Sequence, residues 1–170
     1  MAGVTAEITV GISATLAGTN DLGSPKHRVD VSKLLQLSPG TDAVNKANIM
    51  FADTRTLGAS ANENIDLAGS LADAFGATIT AGEVLLIYIS AAAGNTNSVQ
   101  VTRPASNGFA GPFLAASDGL VIKPGEWQLL ASQSGWAVTA GTGDLLNIAN
   151  SGGSTSVTYD IVVIGRTVAA

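Results

Sequence analysis

The 170-residue chain has 12% charged residues, a net charge of −5, 20 glycines and no cysteine. Its charged fraction is about half the usual ~25%, so Ala, Gly, Ser, Thr and Asn must form much of the surface, which suits a subunit packed among others better than a monomer kept apart by charge. The acidic balance argues against nucleic acid as a partner. The lack of cysteine excludes disulfides, thiolate metal sites and Cys nucleophiles, and neither a membrane-spanning helix nor a secretory signal is legible.

The length allows one domain, or one domain with an arm, and composition divides the chain into residues 1–44 and 45–170. In "TAEITVGISATL" (Thr5–Leu16) Ile8, Val10, Ile12, Ala14 and Leu16 alternate with polar residues, predicting a strand that joins the core or a neighbouring subunit. Ala17–Lys46 is rich in Gly, Asn, Asp, Ser and Pro and reads as an extended arm with little regular structure. Lys26, His27 and Arg28 fall there, beside Lys33 and Lys46, and form a basic spot that is a candidate partner contact.

Strand signals resume at "NIMFADTRTL" and "ENIDLAG", followed by "GSLADAFG", read as one short helical turn. The run "VLLIYI" within Ala77–Ala93 predicts a strand buried on both faces. "SVQVTR" follows the polar turn "GNTN", which reads as a hairpin connection. Ser106–Gly119 reads as a loop, and its Phe109 and Phe113 are further candidate partner contacts. Pro124-Gly125 between two apolar runs has the composition of a type II turn. "WAVTA", "DLLNIAN" and "SVTYDIVVIGRTV" complete eight to ten short strands with no long helix. The expected fold is all-β: an antiparallel β-sandwich, jelly-roll-like, with an extended N-terminal arm.

Chemistry is sparse. Gly141-Thr142-Gly143 has neither the third glycine of a dinucleotide fold nor the Gly-Lys-Ser/Thr of a P-loop, and a strand pattern follows it, so it reads as a turn. His27 is the single histidine and no Gly-x-Ser-x-Gly elbow is present. Asp53, Asp66, Asp118, Glu126, Asp144 and Asp160 could supply a hydrolytic carboxylate pair, but most sit where Asp braces a turn. Trp127 and Trp136 are either packing residues or exposed platforms for sugars, and Arg55, Arg103 and Arg166 lie near strand ends. The reading is of a protein without catalytic, cofactor or metal sites. In the closing strand Val157, Tyr159, Ile161 and Val163 share one face, while Val162 and Ile164 make the other apolar as well, so a second cover is expected, supplied by a neighbouring subunit.

The segments "FADTRTLGASANENIDLAGSLADAFGATIT", "AAAGNTNSVQVTRPASNGFAGPFLAASDGLVIKPG" and "GDLLNIANSGGSTSVTYDIVVIG" resemble small virion structural proteins of tailed bacteriophages and prophages. The resemblance covers Asn45–Gly165 and brings no catalytic motif. It implies a structural role in the particle. With the composition and the expected arm, the function expected is that of a head decoration (cement) protein, a trimer on the capsid surface, made in the bacterial cytoplasm, with the major capsid protein as partner. The alternative is a tail fibre or baseplate module that binds a receptor or glycan.

Overall fold

The computed structural model describes residues 3–168, and all regular structure among them is β. In chain order the strands are β1 (Ala6–Ala17), β2 (Lys26–Pro39), β3 (Lys46–Ala47), β4 (Ile49–Leu57), β5 (Asn62–Asp66), β6 (Glu83–Ala91), β7 (Val99–Thr102), β8 (Gly119–Ile122), β9 (Trp127–Ala137), β10 (Leu145–Asn150) and β11 (Val157–Arg166). Two four-stranded antiparallel sheets form the body, ordered β4-β11-β6-β9 and β5-β10-β7-β8. The pairing is nested: β4 with β11, β5 with β10, β6 with β9 and β7 with β8.

Period-two alternation sends one face of each sheet into a shared core. Ile87 and Ile89 of β6, with Tyr159, Ile161 and Val163 of β11, meet Ile65, Val101, Ile122, Leu146 and Ile148 from the other sheet. Full burial of each such side chain is worth about 1.5–3 kcal/mol, so this layer dominates stability. "VLLIYI" forms the second strand in from the β9 edge and is apolar on both sides, as its composition requires.

The N-terminal region departs from its predicted form. Lys26–Pro39 is not irregular but a 14-residue strand, paired with β1 in an antiparallel hairpin from Ala6↔Leu37 to Ala17↔Lys26. β1 therefore joins neither body sheet. Only the base of the hairpin touches the body: Ala6, Ile8, Leu35 and Leu37 pack with Leu85, Leu86, Val162 and Ile164 on the outer face of the β4-β11-β6-β9 sheet. The second cover of β11 thus comes, at that end, from the same chain. A parallel bridge from β2 to β3 and the Val4 N–H to Ala47 C=O bond (3.1 Å) fix the entry.

Two connections also differ from expectation. β6 and β7 lie in different sheets, so "GNTN" is a crossing rather than a hairpin; Asn95 holds it by exchanging two bonds with the Thr158 backbone (2.8 and 2.9 Å). "GSLADAFG" is a non-helical loop in which Asp73 accepts from the Phe75 and Ala77 N–H groups, both at 2.9 Å. The Pro124-Gly125 turn forms as read, with Gly125 at φ +78° and Glu126 N–H bonded to the Lys123 carbonyl at 2.9 Å. It carries the chain from one sheet to the other.

Arg166 locks hairpin to body. It is 4% exposed, pairs with Glu83 through Nε at 2.5 Å, and donates to the Ala43 and Ser134 carbonyls at 2.6 Å each. One guanidinium fork thus joins β11, β6, β9 and the segment after β2, a use that a single-point ammonium cannot match. Arg166→Ala strands Glu83 and two carbonyls, and is expected to cost about 3–5 kcal/mol in urea unfolding. Arg166→Lys should recover only part of that loss.

Candidate functional site

The hairpin register sorts its side chains onto two faces. Ile8, Val10, Ile12, Ala14 and Leu16 of β1 stand opposite Leu35, Lys33, Val31, Val29 and His27 of β2 on one face. The other face carries Glu7, Thr9, Ser13 and Thr15 opposite Gln36, Leu34, Asp30 and Arg28. Beyond Ile8 and Leu35 the apolar face leaves the body: Val10, Ile12, Val29 and Val31 are exposed, and Leu16 is 74% exposed. The tip is closed by reciprocal Asn20–Gly23 backbone bonds (2.9 and 3.3 Å), with Leu22 fully solvated.

The predicted basic spot lies near this tip but is divided. His27 shares the apolar face with Leu16, whereas Lys26 and Arg28 point to the polar face. Arg28 Nε meets Asp30 at 2.7 Å, and Ser13 donates to the same carboxylate at 2.7 Å. Arg28 first, then Ser13, hold the Asp30 carboxyl below its ordinary range.

Phe109 corrects a prediction. It is 0% exposed and belongs to the main core, so it is unavailable to a partner. The Gly/Pro composition around it reflects close packing rather than a loose loop: a Cβ at Gly111 would lie 2.3 Å from the Phe109 ring. Phe113 is half-buried against the same core. Sequence reasoning passed over the apolar distal hairpin as a surface, although the alternation of Val29, Val31, Leu35 and Leu37 was its signal.

The second element of the site is the outer face of the β4-β11-β6-β9 sheet, which forms three rows of paired residues. Met50, Ile164, Leu86 and Ala131 make the first, Ala52, Val162, Tyr88 and Leu129 the second, and Thr54, Asp160, Ser90 and Trp127 the third. The hairpin base packs against Ile164, Leu86, Val162, Tyr88 and Leu129. Met50, Ala52, Thr54, Asp160 and Trp127 remain exposed, Trp127 at 59% with its ring centroid 6.3 Å from that of Tyr88. Trp136, in contrast, packs partly buried against the core.

The carboxylates weighed as a hydrolytic pair are engaged locally. Asp66 accepts from Ala68 N–H (3.0 Å), Asp118 from Leu114 and Ala115 N–H (3.1 and 2.7 Å), and Glu126 from Lys123 N–H (3.2 Å). Asp144 caps the Gly141 turn, where Gly141 has φ +76° and no helix follows. Asp160 accepts from Thr54 (2.6 Å) and Ser90 (3.3 Å). Among the described residues no three His, Cys, Asp or Glu side chains converge as a metal site. Between the sheets, Ile87, Ile89, Val101, Leu120, Ile122 and Leu130 help line a cavity of about 10 Å³, room for one water at most.

One charged cluster bridges the sheets. Glu63 of β5 accepts from Arg55 Nε of β4 and from the Tyr159 hydroxyl of β11, both at 2.8 Å, and Arg55 also meets Asp53 at 2.8 Å. Burial pushes the Glu63 carboxyl up, but Arg55 and Tyr159 together outweigh it and hold it below its ordinary range. Burial, then Glu63, raises the Tyr159 hydroxyl. Arg55 and Arg166 are therefore spent on intrachain contacts.

Comparison of the chain with protein-family models, curated proteins and solved structures finds no match.

Phe109→Ala should cost about 3–5 kcal/mol in denaturant unfolding as a core truncation, while Lys26→Ala and Arg28→Ala stay within about 0.5 kcal/mol of the parent. A depressed carboxylate pKa contributes stability that is full above the unfolded-state value and lost as pH falls through the folded one. For Glu63, whose ordinary value is 4.5, Glu63→Gln should therefore flatten the acid limb of a stability–pH profile. At neutral pH the same change should cost about 1–3 kcal/mol, since Arg55 and Tyr159 lose the charged acceptor they share and Arg55 keeps only Asp53.

Proposed function

We propose that the chain is a bacteriophage virion structural protein, a capsid decoration (cement) protein that binds the head shell in many copies and stabilises it. The observation that carries the reading is the hairpin. Its distal apolar face is covered by no described part of the chain, and an isolated two-stranded ribbon is marginal in water. Such an element gains its stability from a neighbour.

Three further features support the reading. The nested strand pairs and the orders β4-β11-β6-β9 and β5-β10-β7-β8 support a jelly-roll reading, in which an eight-stranded ribbon is rolled upon itself, an architecture used by viral capsid and lectin domains. The low charge and the Ala/Gly/Ser/Thr-rich composition suit a surface that meets other subunits. The resemblance over Asn45–Gly165 to small phage virion proteins fits a structural role in the particle, and in this reading the partner is the major capsid protein.

In this reading the rigid body sits over a junction between shell subunits, as a trimer, and the N-terminal hairpin is the arm that reaches a neighbour. Each bound copy shifts the equilibrium towards the assembled shell by mass action, and linked weak contacts gain by effective concentration. Purified protein added to shells lacking it is expected to bind to saturation and raise the temperature at which they dissociate. Failure to bind, or particle density confined to the tail axis, would overturn this.

The exposed Trp127 beside Tyr88 favours a second reading, a tail fibre or baseplate module that stacks on a glycan. Quenching of tryptophan fluorescence by host polysaccharide, lost in Trp127→Ala and without uptake on shells, is its expected signature.

A further inference from the structure

We infer that the distal apolar face of the hairpin seats on a second copy of this chain, on the part of the β4-β11-β6-β9 outer face that the second copy's own hairpin leaves open. The contact continues one already present within each chain. The same hairpin face, through Ile8, Leu35 and Leu37, shares one apolar cluster with Leu86, Ile164, Val162, Tyr88 and Leu129 of the sheet. Further along, Ile12, Val31 and Val29 have the same chemistry and no cover, and further across the sheet Met50, Ala52 and Trp127 are likewise open.

Charge selects the match. Between Val10 and Leu16, and between His27 and Lys33, the apolar face holds one Lys or Arg, Lys33. The three rows of the outer sheet face hold one charged residue, Asp160. Asp160 is exposed and bonded to hydroxyls, and among the described residues neither it nor Lys33 is in an ion pair. A cation in a strip whose other members are apolar, His27 at the tip end excepted, and an anion in an otherwise neutral sheet face discourage other pairings, since either charge covered by an apolar surface would be stranded.

Size selects the stoichiometry. Val10–Leu16 spans about 24 Å at the usual strand rise, and two strands of that length cover much less than the roughly 800 Å² per partner typical of a stable complex. Every copy has one strip to give and one face to receive, so a closed ring doubles the contact per subunit. The hairpins then act as straps between neighbours.

Sedimentation equilibrium of the full chain, with no shell present, tests this apart from the shell-binding reading, since either can fail alone. The parent is expected to self-associate across the micromolar range. Lys33→Asp and Asp160→Lys should each weaken association by about tenfold, and the two together should restore it, with thermal unfolding of the body unchanged. A monomeric parent, or a double variant no better than the singles, overturns the inference. Because the chain has no cysteine, the pair Lys33→Cys and Asp160→Cys gives a second reading. A bifunctional maleimide whose spacer replaces the lysine stem should link separate chains; a link within one chain, or none, overturns it.

Discussion

Strand β11 has to be covered on both faces, and the architecture follows from how that is done. Its inward residues Val157, Tyr159, Ile161 and Val163 are almost fully buried in the main core. Its outward residues Val162 and Ile164 are apolar at one end, while Thr158 and Asp160 are polar at the other. A single sandwich layer satisfies only the first set. The base of the hairpin satisfies the outward apolar end, and Arg166, at the end of the same strand, fastens the segment that leads from hairpin to body. Burial supplies the bulk of the free energy there, and the guanidinium fork fixes the geometry.

The transition along β11 from apolar to polar on its outer side marks where intrachain cover stops. Beyond it the sheet offers Thr54, Asp160 and Ser90 beside Trp127, a surface that is wet yet carries little charge. The hairpin shows the complementary transition: buried at Leu37, half-buried at Ile8 and Leu35, then exposed to the tip. Both elements keep apolar residues past the point where their own fold uses them. The clasp of Arg55, Glu63 and Tyr159 between the sheets is different in kind, a set of charges whose hydrogen bonds close inside the chain.

Much of this was legible from local pattern. Period-two alternation located β1, the continuous apolar run located the doubly buried β6, and Pro124-Gly125 located a turn, because each depends on properties of a few adjacent residues. Strand β2 escaped because His27 and Lys33 interrupt its apolar set and because Gly, Asn, Asp and Pro flank it. Phe109 escaped for the opposite reason: glycines that allow a ring to be approached closely have the same composition as glycines that loosen a loop. The basic spot read from Lys26, His27 and Arg28 is divided because neighbours in sequence on a strand point to opposite faces.

By itself, then, the sequence determined an all-β chain with low charge, short strands and a closing strand that needed two covers, since composition and alternation act residue by residue. The tertiary structure decided which strands pair, that the N-terminal region is a hairpin, and that the hairpin supplies the second cover for only part of β11. The pairing of β4 with β11 and the cover of β11 by the hairpin depend on residues about a hundred positions apart or more, such as Arg166 with Ala43, whose partners no local pattern specifies.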